Sequence, residues 1–210
     1  MKQPPHYQQP ISADAPPRGR ILSAARQLFY QQGIRAVGVD AIAEAALTNK
    51  MTLYRHFGSK DELVAAYLQS LADESNARWY ALEEAHPTDY NARLEAWLTY
   101  VQEIVSDHGE RGCPMANAAV ELPESEHPAR RIIDEYKTNK RMQLVQMFRG
   151  AGYLEPEILA DEVFLLFEGA RIAKQCCHAP DGPASRLIEM LRALLKQHGR
   201  HRQSERVKSF

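Results

Sequence analysis

The stretch from Asn49 to Leu63, "NKMTLYRHFGSKDEL", limits the fold more than any other part of the chain. Its opening helical pattern stops at Gly58, after about two turns. A helix that short does not hold itself together in water, because nucleation fixes several residues for a single hydrogen bond. Other elements must hold it. Leu53 and Phe57 are four apart and share one face, which faces inward. Lys50, Thr52, Tyr54 and His56 carry a cation, a hydroxyl, a phenol and a ring nitrogen on the remaining surface. A short helix with so many polar tips reads as an element presented to a partner.

Its surroundings are helical throughout. No run of alternating β-branched residues bounded by turns appears, so the fold class is all-α. Ile21, Ala25, Leu28 and Phe29 recur at helical spacing, and Gly33 stands where a C-terminal cap belongs, with Ile34 placed to pack back on Phe29. A short helix is expected from about Val39 to Ala46, with Asp40 in its first turn. Ser59 and Glu62 form a capping-box pattern that starts a longer helix running through Tyr67 toward Trp79. Pro87 separates it from a helix over roughly 90–107. The segment "HGERGCPMANAAVELPESEHP" holds at most a short helix. Three longer helices follow, at about 128–150, 155–178 and 182–198, divided by Gly and Pro. No repeat is visible, so the chain is not a solenoid.

The net charge of −1 conceals an asymmetry. Residues 18–64 hold seven Lys/Arg against four Asp/Glu, a balance of +3. Residues 65–195 hold thirteen against twenty-one, a balance of −8, and residues 196–210 return to +4. A basic front on an acidic body implies an anionic partner for the front. The expected organisation is a proline-rich disordered leader over 1–17, a basic helical module over 18–64, a larger acidic helical body over 65–198, and a basic tail over 199–210. Mean hydropathy is −0.47. No apolar run approaches the roughly 20 residues of a membrane span, and no secretion signal opens the chain. Three cysteines are an odd number and do not form a disulfide framework, so a reducing cytoplasm is expected.

Three short helices, the last two joined by a tight turn, make a helix-turn-helix, whose final helix enters the major groove with its N-terminal residues at the base edges. Asn49 is the expected N-cap. Lys50, Met51 and Thr52 fill the first turn. Tyr54 lies one turn beyond Lys50, where a phenol can bond phosphate, and His56 and Lys60 flank the helix end. These seven residues are the candidate DNA contacts. An ordinary packed helical hairpin is the competing structural reading.

From Arg18 to Leu63 the chain resembles the N-terminal domain of the TetR family of transcriptional regulators. The resemblance rests on Gly33, on Ile42-Ala43, and above all on the contiguous "TLYRHFGSKDEL". It implies binding of operator DNA as a dimer through Lys50, Met51, Thr52, Tyr54, His56 and Lys60. One departure stands out. Where the family has "AGVS" or "AGVT" across the turn, this chain has "ALTN", with Leu47 at the glycine position. A reshaped turn is expected, because a side chain is costly in the left-handed region.

The rest of the chain resembles the family in its helical layout. The resemblance implies a body that dimerises through its last two long helices and encloses an effector pocket. Candidate interface residues are Phe164, Phe167, Ala170 and Ile172 on one helix and Leu187, Met190, Leu191 and Leu194 on the other. Packing within one protomer is the alternative for each. Trp79, Trp97, Tyr100, Met142 and Phe148 are candidate lining for a mostly apolar effector cavity. Cys113 follows Arg111 in an irregular segment, so a stabilised, reachable thiolate is a candidate sensor, a reading its likeness to some electrophile-sensing relatives supports. Cys176, Cys177 and His178 are contiguous and lack the spacing to converge on one tetrahedral ion, so neither metal nor cofactor is expected.

The leading reading is a ligand-responsive repressor that binds a near-palindromic operator as a homodimer. Activation is a variant of it. No catalytic triad, HExxH or P-loop is present, so an enzyme is not expected. A helical small-molecule-binding protein or enzyme without DNA affinity is the chief rival, and an architectural DNA binder the other. The first predicts ligand binding without DNA affinity, the second protection of DNA without a defined palindrome.

Overall fold

The computed structural model describes residues 14–106, 111–177 and 181–200. Most of the leader expected over 1–17 and of the tail expected over 199–210 lies outside them, as does His178. The described residues form nine α-helices: α1 (Pro17–Gln32), α2 (Val39–Ala45), α3 (Lys50–Phe57), α4 (Lys60–Ala85), α5 (Tyr90–Ser106), α6 (Pro114–Glu121), α7 (Pro128–Gly150), α8 (Pro156–Cys176) and α9 (Leu187–Gln197). A 3₁₀ turn at Pro183–Arg186 leads into α9. The all-α expectation holds. None of these helices is long and apolar enough to cross a membrane.

The chain divides into two compact units. Of the described residues, those up to Ala77 together with Arg111–Tyr136 make one, and those of 78–106 together with those from Lys137 onward make the other. The first unit therefore reaches beyond the expected 18–64 module. Its single core joins Ile21, Ala25 and Phe29 of α1, Ile42 of α2, Leu53 and Phe57 of α3, and Leu63, Tyr67 and Leu68 of α4. Met115 and Ala118 of α6 and Ala129 and Ile133 of α7 complete it.

Polar contacts tie the later segment to α1 and the loop after it. The Arg111 guanidinium donates to the carbonyls of Tyr30, at 2.9 Å, and Gln31. A cation there favours the negative end of the α1 dipole. The Arg35 amide donates to the Glu121 carboxylate at 2.9 Å, and its guanidinium reaches Glu124 at 2.8 Å. Gly33 ends α1 at φ 92°, and its amide donates to Phe29 at 3.0 Å. A Cβ on Gly33 would lie 3.1 Å from the Glu121 carboxylate, so glycine suits this close approach as well as the turn.

The second unit is built on Trp97, Leu98 and Val101 of α5, Met147 and Phe148 of α7, Leu159 and Val163 of α8, and Leu187 and Leu191 of α9. Arg93, in the same unit, is a buried charged residue. Its guanidinium donates to the carbonyls of His86, at 2.7 Å, and Pro87, at 3.1 Å, which closes the turn between α4 and α5. Burial of the cation is offset by these bonds and by Glu83 at 3.3 Å.

The α3 helix depends on its anchors. Leu53 is fully buried and Phe57 nearly so. At the start of α3 the Asn49 side chain accepts from the Thr52 amide at 2.9 Å, the expected N-cap. Leu53→Ala should lower unfolding stability by about 2–5 kcal/mol, whereas Asn49→Ala should cost about 1 kcal/mol. Urea denaturation of the two variants checks the ratio, and near-equal losses would contradict the anchoring described.

Candidate nucleic-acid interface

With Leu53 and Phe57 turned inward, α3 presents its other side to solvent. Met51 is 82% exposed and Tyr54 40%. Asn49 and Lys50 are also exposed, and Thr52, His56 and Lys60 are half-buried. Lys50 meets Asp40 of α2 at 3.4 Å, with both side chains largely solvated. Such a pair is worth only about 0–1 kcal/mol, so the ammonium can exchange it for a phosphate or base edge. Burial holds the Lys60 pKa below the ordinary lysine value, and the carboxylates of Asp61 and Glu121 act in the opposite direction.

The helix stops where the sequence indicates. Gly58 adopts φ 75°, a conformation glycine takes without a Cβ penalty, and its amide donates to Tyr54 at 2.8 Å. Half of the anticipated capping box follows. Ser59 Oγ accepts from the Glu62 amide at 3.0 Å, while the Ser59 amide donates to the Phe57 carbonyl at 2.9 Å.

The turn before α3 departs from expectation. It keeps a left-handed residue despite the missing glycine, with Leu47 at φ 52°. That conformation costs a leucine about 1–2 kcal/mol. The Leu47 amide donates to Glu44 at 3.0 Å and the Thr48 amide to Ala43 at 2.9 Å, which closes the end of α2. Arg20 of α1 then binds the turn from outside. Its guanidinium donates to the carbonyls of Ala46 at 3.0 Å, Leu47 at 3.4 Å and Ala15 at 2.9 Å. Arg18 lies 5.0 Å over the Phe57 ring. Sequence reasoning did not single out Arg18 or Arg20. Their basic character within the +3 segment was the available signal.

Other expected site residues fall in several places. Cys113 was expected within reach of solvent but is 1% exposed, in the core of the first unit. The neighbouring Arg111 guanidinium points to the α1 carbonyls described above. Trp79, Trp97 and Phe148 are buried in the core of the second unit, with Tyr100 packed against it. Met142, grouped with them from sequence, is instead 50% exposed. It is flanked on α7 by half-buried Arg141 and Gln143, and the inward positions there belong to Leu144, Val145, Met147 and Phe148.

Arg78 lies beside Tyr100, donating to its hydroxyl at 2.7 Å. Lys140 lies 6.0 Å over the Trp79 ring, and burial together with the Arg78 charge brings its pKa down to about 8. The Trp79 indole N–H is buried with no acceptor among the described residues.

The interface candidates on α8 and α9 also need correction. Leu187 and Leu191 are fully buried within their own protomer, where they form part of the second core. They cannot present a surface to a partner without unpacking it. Phe164, Phe167, Ala170 and Leu194 are half-buried against the same core, while Ile172 and Met190 remain 47% and 43% exposed. Sequence reasoning missed the exposed Ile158 and Leu165. With Ile172 they repeat every seven residues along one stripe of α8, a spacing readable in advance.

Residues 21–67 match the family model described as bacterial regulatory proteins, TetR family. The chain is 27% identical over 170 residues to the HTH-type transcriptional repressor KstR2 of Mycobacterium tuberculosis, covering 79% of this chain and 83% of that protein. It is 46% identical over 97 residues to the HTH-type transcriptional activator FasR of Mycolicibacterium smegmatis, 45% of this chain and 42% of that one. Among solved structures, SCO4454, a TetR-family transcriptional regulator from Streptomyces coelicolor, superposes with a TM-score of 0.77 at 25% identity, covering 86% of this chain and 95% of that one. The docked α3 with its capped, exposed first turn, together with these likenesses, shows that residues 21–67 form a TetR-family DNA-binding domain and that the chain, similar to TetR-family proteins over most of its length, is a DNA-binding transcriptional regulator.

Proposed function

We propose that the chain is a cytoplasmic, ligand-responsive repressor that binds a near-palindromic operator as a homodimer and leaves it when a small molecule occupies the second unit. The observation that carries the reading is the two-sidedness of α3. Its inner face is anchored by Leu53 and Phe57, while Lys50, Met51 and Tyr54 stand exposed on the other. A wedge of this kind reads base edges with its first turn and phosphates with Tyr54, His56 and Lys60. Repression is favoured over activation because KstR2, a relative matched over most of the chain, is a repressor.

The dimer surface in this reading is the exposed stripe of Ile158, Leu165 and Ile172 on α8, extended by Met190 of α9. A two-fold contact through one such patch is isologous, so the operator repeats its half-site in inverted order. For the effector, Trp79, Trp97 and Tyr100 supply apolar and aromatic surface, and the buried Trp79 N–H is a donor that a ligand acceptor would satisfy. A bound molecule suits release better than thiol chemistry, because Cys113 must first be uncovered before a reagent can reach it.

Selection of duplexes from a random pool tests the central reading. A palindromic consensus is expected, and recovery of no common sequence would contradict it. On the selected duplex, Lys60→Ala should weaken binding alike for all sequences and make the salt dependence shallower by about one unit per bound subunit. Lys50→Ala or Met51→Ala should instead change which bases are preferred. Leu165→Glu should convert the dimer to a monomer in sedimentation equilibrium and abolish tight operator binding. An unchanged dimer would place the interface elsewhere.

A further inference from the structure

Leu47 combines two properties that the fold does not need together. Its backbone is in the left-handed region at φ 52°, where glycine or asparagine is favoured. Its side chain is 68% exposed, so core packing does not compensate for the strained backbone. Arg20 holds the carbonyls of Ala46 and Leu47 from outside, which keeps the turn in place whatever side chain stands there. A glycine at this position would close the same turn without strain. Strain retained beside an exposed functional surface is a sign of a contact made in the bound state.

The position of Leu47 indicates the partner. It lies two residues before the N-cap Asn49, within about 7.6 Å of it along the Cα trace. The first turn of α3, with exposed Lys50 and Met51, begins there. Leu47 and Met51 are both large aliphatic residues exposed at this end of a basic module. In the major groove the apolar feature available to such side chains is the C5-methyl group of thymine.

We infer that Leu47 is a specificity-determining DNA contact, its side chain packing on a thymine methyl in each half-site beside the bases read by the first turn of α3. The inference rests on the DNA-binding reading of α3 and adds a residue from the preceding turn to it. Arg20 is the positioning residue, because it fixes the backbone from which the side chain projects.

The test uses the full chain and a duplex that the wild type selects from a random pool. Each thymine is replaced in turn by deoxyuridine, which lacks only the methyl group, and dissociation constants are measured by fluorescence anisotropy. Wild type should lose about fourfold per methyl contact, the effect of one buried methyl-sized group. More than one thymine can show such a loss, since Met51 is also available for contact.

Leu47→Gly relieves the backbone strain and should fold, as circular dichroism and a thermal melt will show. It should lose the uracil penalty at one thymine per half-site and keep the others. Leu47→Asn, which also tolerates the left-handed region, should behave the same way. Identical penalties at every thymine in wild type and both variants would overturn the contact while leaving the regulator reading intact. The absence of any uracil penalty in wild type would also overturn it. A wild type that selects no duplex at all would overturn both.

Discussion

The burial of Leu53 and Phe57 is the interaction on which the rest of the structure depends. α3 is about two turns long and cannot persist by its own hydrogen bonds. Its stability is borrowed from a core that joins α1, α2, α4, α6 and the start of α7. Both anchors lie on one face, so holding the helix also orients it. Its exposed side is then a fixed array, with a cation, a thioether and a phenol displayed from a rigid base. For a reader of base edges this matters more than the number of contacts, because a loosely held helix would lose in ordering entropy what it gained in binding.

The turn before α3 shows the same economy in a different form. A leucine in a glycine conformation should loosen the junction between α2 and α3, yet Arg20 binds both flanking carbonyls from α1. The cost is local and the compensation comes from a different helix. α6 plays a comparable part at the far end of α1, where Glu121 meets both the Arg35 amide and the space beside Gly33. The helix-turn-helix is therefore one layer of a larger packed unit, and Glu121 at the end of α6, with Glu124 just beyond it, helps to hold Arg35 in the loop after α1.

Much of this was legible in the residues. Periodicity and Gly/Pro punctuation located the helices, and the N-cap at Asn49 and the stop at Gly58 follow from local chemistry that acts over three or four residues. What failed to show was long-range. The segment around Cys113 reads as a break because its Gly and Pro residues interrupt helical periodicity, yet Met115 and Ala118 pack with residues about ninety positions earlier. The same limit explains Leu187 and Leu191. Spacing shows that they share a face of α9, but whether that face meets the protomer's own core or a partner is decided by α5, α7 and α8. Met142 is the converse case, a large apolar residue whose neighbours took the inward positions. Leu47 was legible as an anomaly, though its resolution through Arg20 was not.

The central claim is that an anchored α3 enters the major groove twice per assembly, and a dimethyl sulfate protection experiment on the selected duplex examines it directly. This reagent methylates guanine N7, which lies in the major groove. The account predicts two protected blocks about one helical turn apart, related by inverted symmetry, with Leu53→Ala losing both. Binding that leaves every guanine N7 as reactive as in free DNA, or that protects the duplex continuously without symmetry, would contradict it.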